Sequence, residues 1–383
     1  MKRRKQFLRG AAFLAAAATA ACLTLSVQNA VRTGGAPLTV YAEEAYSEGE
    51  NNAFTYRKYS DHIEITGCKP WNATSIDIPT SIDGLSVTSL GIYAFEGCGA
   101  ASVTIPDSVT EIGMYVFCMC DNLKEVTLPA SLKSISLRSF SQCKNLTTVN
   151  FPDTMIEIGE RVFDETPWLD AQRQKDPLVI VNGALIDGRT CKGDVTVPSG
   201  VKYVSGSAFA QNEDITSVVF PETVTNAALD TFWQCTNLKS ADLGGMTALD
   251  SGAFGYCSKI TDIKLSGKLK SIDGYAFTDN SSTATITFRG SESVWNQVQK
   301  PDNDAFLQRA KLVFDETYQP PQAQVAGDIN ADGKCDVSDV TMLLKYLLTS
   351  GSLTADQAKI ADMNQDARLD SSDFTRIKQA ALA

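Results

Sequence analysis

Eight phenylalanines recur along the middle of the chain at nearly constant intervals, and each follows a small residue. They are Phe95, Phe117, Phe140, Phe163, Phe209, Phe232, Phe254 and Phe277, and their spacings are 22, 23, 23, 46, 23, 22 and 23 residues. A unit of this length is too short to bury its own apolar face, so successive units must stack on one another. The period therefore predicts a solenoid.

Two further features keep register with the phenylalanines. A cysteine stands three residues after five of them, at Cys98, Cys120, Cys143, Cys235 and Cys257. An apolar strand pattern follows, as in Leu123, Val126 and Leu128, and a proline often ends it. We expect these strands to form the rungs of a parallel sheet, with the apolar side chains and the phenylalanine inside. The proline leaves the sheet, where its missing N–H does no harm.

The cysteine column has two interpretations. Neighbouring rungs lie about 4.8 Å apart, and a disulfide can span that distance. However, Thr166 and Asn212 replace the cysteine in two units, and removing residues 1–42 leaves nine of the ten cysteines, an odd number. These facts favour buried, mostly reduced thiols.

The 46-residue interval between Phe163 and Phe209 contains one irregular unit. A short helix is predicted to begin near Thr166, and 178–181 and 184–186 are predicted to form a hairpin around Asn182-Gly183. After Phe277 the regularity fades, and 284–315 is predicted to cap the last open rung.

The chain begins with five positive charges in nine residues and continues with an apolar run from Ala11 to about Val27. This pattern is typical of a secretory signal peptide, with cleavage after Ala42 or, as the alternative, after Ala30. No later stretch is apolar over the ~18 residues that a membrane span needs, so we predict no membrane span and an extracellular protein.

Charge and histidine content exclude several classes of function. Residues 1–42 contain six basic and no acidic residues, so the remainder has 28 basic and 45 acidic residues and a net charge of −17. Such a surface repels nucleic acid. The single histidine, His62, argues against His-dependent catalysis and multi-His metal sites, and we expect it to be a partly exposed strand residue.

The repeat columns resemble the leucine-rich repeats of the BspA-like family. Segment 105–120, which runs from Ile-Pro-Asp-Ser-Val through Phe-Cys-Met-Cys, is close to that family's repeat, and the resemblance covers about 54–315 with a first strand around 54–66. The resemblance implies a curved, mostly β solenoid used for adhesion or protein binding. Besides the missing cysteines, the chain departs from the pattern at Gly244 and Ser266, which replace the strand-ending proline.

Tyrosines recur on the repeats, whereas the outward strand positions are mostly small or polar. Tyr93, Tyr115 and Tyr275 each precede a phenylalanine by two residues, and Tyr256 lies nearby in sequence. They could form a ligand-contacting stripe, or they could simply cap the outer edge of each coil, which we favour. A carbohydrate-binding surface would require them to form a flat outward row.

Two twelve-residue segments, 34 residues apart, repeat one pattern of oxygen-bearing side chains. The first offers Asp328, Asn330, Asp332, the carbonyl of Lys334, Asp336 and Asp339; the second offers Asp362, Asn364, Asp366, the carbonyl of Arg368, Asp370 and Asp373. Calcium takes about six to eight oxygen ligands, and this spacing wraps a loop around one ion. Two calcium ions are therefore predicted. Ala367 replaces the loop glycine, Gly333 in the first loop, so the second site is predicted to bind more weakly.

An amphipathic helix is predicted after each loop, and none before either. In the first helix the apolar stripe is Val340, Leu343, Leu344, Leu347 and Leu348. Position 12 of each loop is Asp rather than Glu. Segment 327–383 thereby resembles a type I dockerin. The resemblance implies two bound calcium ions and binding to a cohesin module of a cellulosome scaffolding protein.

The dockerin resemblance also implies a set of cohesin-contacting positions. In this chain they are Val337, Ser338, Leu344, Lys345, Ser371, Ser372, Lys378 and Gln379. The two halves differ in residue type, which favours one dominant binding orientation over two equivalent ones.

These observations predict a mainly β, leucine-rich-repeat solenoid of parallel rungs, followed by a small all-α, EF-hand-like dockerin. The predicted parts are a signal peptide (1–42), the solenoid (43–315, with an irregular insert at 164–197 and a cap at 284–315), a linker (316–326) and the dockerin (327–383). We predict a secreted, non-catalytic cellulosome component, with no catalytic residue and calcium as its only cofactor. The repeats would bind an unidentified protein or polysaccharide. The alternative is a carbohydrate-binding or glycoside-hydrolase-associated role in plant polysaccharide degradation.

Overall fold

The computed structural model describes residues 45–69, 73–154, 156–280, 283–302, 304–319, 327–330, 334–348, 351–363 and 369–382. The predicted signal peptide and most of the predicted linker lie outside these ranges. The described part is mainly β, a solenoid of about 11 turns with short helices towards the C-terminus. The predicted fold class is confirmed.

Three antiparallel strands open the solenoid: β1 (Ser47–Glu50), β2 (Phe54–Lys58) and β3 (His62–Cys68). The first strand expected around 54–66 is thus two strands, because the chain turns at 59–61. His62 is half-buried on β3, and its ring stacks on Tyr59 with 4.3 Å between centroids, in line with the structural role expected for it.

Each coil contributes a strand to a first parallel wall, which has a break at the irregular unit. Its strands are β4 (Ser75–Asp77), β7 (Ser102–Thr104), β9 (Glu125–Thr127) and β11 (Thr148–Asn150), then β15 (Gly193–Thr196), β17 (Ile215–Val219), β19 (Ser240–Asp242), β21 (Asp262–Leu265), β23 (Thr285–Phe288) and β24 (Lys311–Phe314). Equivalent residues of successive coils pair directly, as Val103 does with Val126 and Val126 with Val149. This wall consists of the predicted rungs.

A second parallel wall, which the strand pattern did not predict, lies across the core. It contains β6 (Leu85–Leu90), with which β5 (Ser81–Ile82) pairs in antiparallel fashion, β8 (Glu111–Ile112), β10 (Ser134–Ile135), β12 (Glu157–Ile158), β14 (Ala184–Asp187), β16 (Tyr203–Val204), β18 (Asn226–Ala227), β20 (Ala248–Leu249) and β22 (Ser271–Ile272). The missed signal is an apolar residue five positions before each phenylalanine, such as Ile112, Ile135 and Ile158, all of which are buried.

The phenylalanines fill the space between the walls, as predicted. Phe95, Phe117, Phe140 and Phe163 stack with 5.1–5.6 Å between neighbouring centroids. The same range of spacings joins Phe209, Phe232, Phe254 and Phe277. Phe306 extends this second stack, 4.5 Å from Phe277, so the predicted cap adds rungs of its own. Phe306 follows Phe277 by 29 residues, so it does not fit the 23-residue period.

Left-handed backbone recurs two residues before and two residues after the phenylalanines. The first column is Tyr93, Tyr115, Arg138, Arg161, Ser207, Asp230 and Gly252, and the second is Gly97, Met119, Gln142, Glu165, Gln211, Gln234, Tyr256 and Asp279, with φ of 51–70°. Alternate N–H groups then point at the next coil, as Phe95 N–H does at the carbonyl oxygen of Val116 (2.9 Å). Hydrogen bonds thus join the coils where no strand runs.

The irregular unit follows the prediction closely. Helix α1 (Pro167–Lys175) begins after the N-cap Thr166, and β13 (Val179–Val181) pairs with β14 across Asn182 and Gly183, which both have positive φ. Gly188 occupies the place of the missing phenylalanine: a Cβ there would lie 2.3 Å from Cε1 of Phe209. The 46-residue interval is therefore two coils, one of which lacks its ring.

Ion pairs hold the irregular unit together. Asp187, which is 1% exposed, accepts bonds of 3.0 and 2.9 Å from Arg173 and one of 2.6 Å from Arg189. Arg189 also pairs with Asp164. These contacts fasten the hairpin to the preceding coil and to α1.

The C-terminal end of the solenoid contains helices α2 (Glu292–Trp295) and α3 (Ala305–Arg309). Beyond β24, Tyr318 folds back onto the solenoid. Its hydroxyl donates to Glu222 Oε1 (3.0 Å), and the Arg289 guanidinium lies over its ring, 3.9 Å from the centroid. Across the described ranges, no helix is long and apolar enough to cross a membrane.

Candidate calcium-binding and partner-binding module

The C-terminal module consists of three helices around a small apolar core. They are α4 (Val337–Leu347), α5 (Ala355–Ala361) and α6 (Ser371–Ala380), and the fully buried core residues are Ile329, Leu343, Ala361 and Ile377. Thr354 and Gln357 form a capping box on α5, which ends directly before Asp362. The expectation that no helix precedes either loop is therefore wrong for the second loop.

The apolar stripe of α4 is narrower than predicted. Leu343 is buried, and Val340 and Leu347 pack partly against the core. Leu344 and Leu348 are exposed instead. The module has only a thin core, which leaves part of the stripe available to a partner.

In the first loop, the carboxylate at position 12 ties the start of the loop to its end. Asp339 Oδ1 accepts from the N–H groups of Ile329 (2.7 Å) and Asn330 (3.0 Å), and its Oδ2 accepts from Asp336 N–H (2.9 Å). Asp336 caps α4 by accepting from Ser338 N–H at 2.7 Å. Asp339 is fully buried, and Asp328 is 3% exposed.

The second loop repeats this arrangement. Asp373, also fully buried, accepts from Met363 N–H (2.9 Å) through Oδ1 and from Asp370 N–H (3.1 Å) through Oδ2. Asp370 caps α6 by accepting from Ser372 N–H at 2.7 Å. The two loops thus share three hydrogen bonds at equivalent positions: N–H groups of Ile329 and Met363 to the position-12 carboxylate, those of Asp336 and Asp370 to the same carboxylate, and the caps from Ser338 and Ser372.

Eight of the twelve predicted ligands fall within the described residues: Asp328, Asn330, Lys334, Asp336, Asp339, Asp362, Asp370 and Asp373. Asp332, Asn364, Asp366 and Arg368 lie outside them, as do Gly333 and Ala367. Within the described ranges, no group of three or more His, Cys, Asp or Glu side chains is placed to hold a metal ion.

The chemistry of the donor set fits calcium. The residues offer carboxylate, amide and backbone carbonyl oxygens, the hard ligands that calcium prefers. The first loop is also crowded with negative charge: burial and the charges of Asp339, Asp328 and Asp336 raise the pKa of Cys335. A divalent cation would offset the mutual repulsion of these carboxylates.

All eight predicted cohesin-contacting residues are exposed. Val337, Ser338, Leu344 and Lys345 lie on α4, and Ser371, Ser372, Lys378 and Gln379 lie on α6. The two helices present different chemistry. Helix α4 and its C-cap expose apolar side chains, including Val337 at 71% and Leu348 at 66%, whereas the predicted positions on α6 are polar.

The tyrosines of the repeats do not form a flat row. Tyr93 and Tyr115 stack on each other with 5.0 Å between centroids, so each partly covers the other. The same column continues as Arg138, Arg161 and then smaller or acidic residues before it reaches Tyr275. Tyr256 belongs to the second left-handed column, two residues after a phenylalanine. The tyrosines therefore do not form the flat outward row that carbohydrate binding by such a row would require.

Comparison with known families identifies both parts of the chain. The BspA type leucine rich repeat region matches residues 66–173 and 190–309 in six copies, and the dockerin type I domain matches residues 326–382. The chain belongs to the BspA-type leucine-rich repeat family and carries a type I dockerin domain. Both kinds of domain are non-catalytic. A type I dockerin binds calcium and implies a cohesin-binding cellulosome component, while leucine-rich repeats suggest protein interaction.

Several solved structures are similar to the repeats. A leucine-rich repeat protein of T. pallidum is 28% identical, with 56% of this chain and 91% of that chain covered and a TM-score of 0.33. A leucine rich cell surface protein of Faecalibacterium prausnitzii A2-165 is 20% identical, covering 67% and 99%, with a TM-score of 0.30. The pneumococcal vaccine antigen PcpA is 12% identical, covering 72% and 100%, with a TM-score of 0.33. No curated protein matches the chain.

Proposed function

We propose that the chain is a secreted, non-catalytic cellulosome component whose dockerin binds a scaffolding cohesin in a calcium-dependent manner. Its parts are the signal peptide 1–42, the solenoid 43–315, the linker 316–326 and the dockerin 327–383. The observation that carries the proposal is the repeated loop geometry, in which Asp339 and Asp373 make equivalent hydrogen bonds to their own loops. Two copies of one loop and helix are what a two-site calcium module requires.

Each calcium site is assigned to one loop. Asp328, Asn330, Asp332, Lys334, Asp336 and Asp339 hold the first ion, and Asp362, Asn364, Asp366, Arg368, Asp370 and Asp373 hold the second. Bound calcium neutralises carboxylates that otherwise repel one another and so stabilises the fold of the module. Ala367 lacks the conformational freedom of Gly333, so calorimetry should resolve a tight site and a weaker one. Two equal sites would contradict this assignment.

The cohesin surface is assigned to the exposed positions of α4 and α6, with α4 dominant. Exposed apolar residues supply most of the favourable free energy of a protein interface, and α4 has them. We expect the pair Val337→Asp and Leu344→Asp to weaken cohesin binding by about 100-fold or more. The matched pair Ser371→Asp and Lys378→Asp should weaken it by less than about threefold.

The loss of cohesin affinity in these two double variants decides which helix dominates the contact. Equal losses from both pairs would contradict a single dominant orientation, and no loss from either pair would contradict the surface. Val337 and Ser371 are each the first residue of a helix, where a carboxylate favours the helix. Leu344 and Lys378 each lie towards the C-terminal end of their helix, where a carboxylate disfavours it, so both pairs carry the same kind of cost to the fold.

The repeats are proposed to bind protein through the first coils. Ile92, Tyr93 and Met119 are about half exposed there, and exposed apolar side chains in neighbouring coils favour a protein contact. The full chain should retain defined proteins from the native extracellular fraction. The variant carrying Ile92→Ser and Met119→Ser should lose them, whereas Val219→Ser, also an exposed apolar residue, should not. Retention of plant cell-wall polysaccharide alone would instead support a role in polysaccharide degradation.

A further inference from the structure

A polar groove of about 470 Å³ crosses the coils of the C-terminal half, beside the second left-handed column. Its lining includes Gln211, Gln234, Tyr256 and Asp279, which occupy the same position in four successive coils. The volume lies within the range of small-ligand sites in proteins. None of these residues belongs to the surface proposed above for protein binding.

The rest of the lining consists of Glu213, Thr236 and Ser258, each two residues further along its coil. The lining therefore combines amides and hydroxyls, which both donate and accept hydrogen bonds, with carboxylates, which accept them. Among the described residues, no lysine or arginine belongs to the lining. This chemistry suits a neutral ligand rich in hydroxyl groups and disfavours an anion.

An aromatic ring stands at the groove. Tyr256 is 38% exposed, and Trp233 packs edge-on against it with 4.7 Å between centroids. Asp279 acts on the Tyr256 hydroxyl and raises its pKa, and the packing against Trp233 holds the ring. An exposed, immobilised aromatic ring offers an apolar surface to the C–H groups of a sugar ring, next to side chains that bind its hydroxyls.

The lining is held rigid by the solenoid. The N–H groups of Gln211, Gln234 and Tyr256 bond to carbonyl oxygens of the next coil at 2.7, 2.8 and 2.9 Å. Gln211 Nε2 also donates to Gln234 Oε1 (3.2 Å). The lining residues therefore repeat at the spacing of parallel strands, about 4.8 Å, which is close to the advance of one pyranose unit along a glycan.

We propose that this groove binds a neutral oligosaccharide, with one sugar ring against Tyr256 and its hydroxyl groups bonded to Gln234 and Asp279. Such a ligand can come from a plant polysaccharide or from the glycan of a glycoprotein, because both present the same hydroxyl chemistry. The inference goes beyond the proposed function, since it holds whether or not the dockerin binds cohesin.

Calorimetry with the full chain in calcium tests the proposal. One arm uses cellohexaose, xylohexaose and mannohexaose, and the other uses neutral N-glycans released from a glycoprotein. We expect binding in at least one arm, and the arm that binds identifies the source. Tyr256→Asn removes the ring but keeps a residue that tolerates positive φ, and it should weaken binding by about tenfold or more.

Gln142→Asn is the matched control, because Gln142 has the same left-handed backbone in a coil outside the groove. It should change the Kd by less than about twofold. Asp279→Asn changes an exposed side chain without changing its size, and it should weaken oligosaccharide binding by about threefold or more. This variant tests the groove if Tyr256→Asn fails to fold. Absence of binding to every probe at about 5 mM, or binding that the groove variants leave unchanged, would overturn the proposal. Cohesin binding of each variant, measured separately, tests the proposed function independently.

Discussion

Cys120 donates a hydrogen bond through its Sγ to the carbonyl oxygen of Phe95, 3.1 Å away in the preceding coil. The same bond recurs along the column, from Cys143 to Phe117, from Cys235 to Phe209 and from Cys257 to Phe232, at 3.0–3.1 Å. Asn280 makes it through Nδ2 to Phe254 (2.6 Å), and Asn212 donates to Gly188, which stands in the phenylalanine position. The column therefore selects a donor, and this explains why asparagine replaces cysteine. All nine cysteines of the described residues are free thiols, as favoured from the sequence.

A donor requirement predicts different effects for two substitutions of similar size. The buried carbonyl of Phe209 accepts from Cys235 Sγ and from the Asn212 N–H. Cys235→Val removes the first of these two bonds and should lower the free energy of unfolding by about 1–1.5 kcal/mol. Cys235→Asn restores a donor, as at Asn280, and should cost less than about 1 kcal/mol. Chemical denaturation with the far-UV circular dichroism signal measures both, and equal losses would count against the donor role.

The same thiol predicts a dependence of stability on pH. Burial raises the pKa of Cys235 from 9.0 to about 12. Between these values the unfolded thiol is ionised while the folded one keeps its proton, so the free energy of unfolding falls as pH rises. The contribution is intact below pH 9 and declines by at most about 1.4 kcal/mol per pH unit above it. Denaturation of native protein and Cys235→Asn from pH 8 to 11 should give a shallower slope for the variant, and identical slopes would refute the assignment.

The coil that lacks its phenylalanine predicts a glycine requirement. A Cβ at Gly188 would lie 2.3 Å from the Phe209 ring, so Gly188→Ala should lower the free energy of unfolding by about 1–3 kcal/mol. Gly274→Ala is the control, because no atom lies within 4 Å of the Cβ position there. Thermal unfolding should show a lower midpoint for Gly188→Ala alone. An unchanged midpoint for this variant would mean that the coil accommodates the methyl group without loss of stability.

The contact between Tyr318 and Arg289 predicts how firmly the chain is held where it leaves the solenoid. Tyr318→Ala removes both the ring over Arg289 and the hydroxyl bonded to Glu222, and it should speed proteolysis within 316–326 by about fivefold to tenfold. Tyr318→Phe keeps the ring and should change the rate by less than about threefold. Limited proteolysis read by mass spectrometry measures the rates, and equal rates for both variants would show that the ring contributes nothing.

The repeat was predictable because identical side chains must stack in every coil. A 23-residue period in phenylalanine and cysteine is visible without any knowledge of dihedral angles, and it led to the rungs and the stacked rings. The two-residue strands of the second wall are too short to give a strand pattern of their own. Phe306 was missed because two helices lengthen its coil to 29 residues.

The dockerin domain was predictable for a different reason, since calcium fixes the spacing of its oxygen donors; the individual ligands stay a prediction. The role of Asp339 and Asp373 as internal acceptors that close their loops was not predictable, because it depends on backbone N–H groups that carry no sequence signal. Nor was the groove beside Tyr256 predictable. Its lining comes from columns in which the residue type changes from Gln211 and Gln234 to Tyr256 and Asp279, so only the stacking of coils brings Gln234 and Asp279 to the same ring.

The measurement that tests the central claim most directly is the binding of the full chain to a type I cohesin, first in calcium, then after chelation and then after calcium is restored. We predict tight binding in calcium, its loss together with the helical circular dichroism signal of the module on chelation, and its recovery when calcium returns. Binding that persists in chelator, or absence of binding in calcium, would contradict the account.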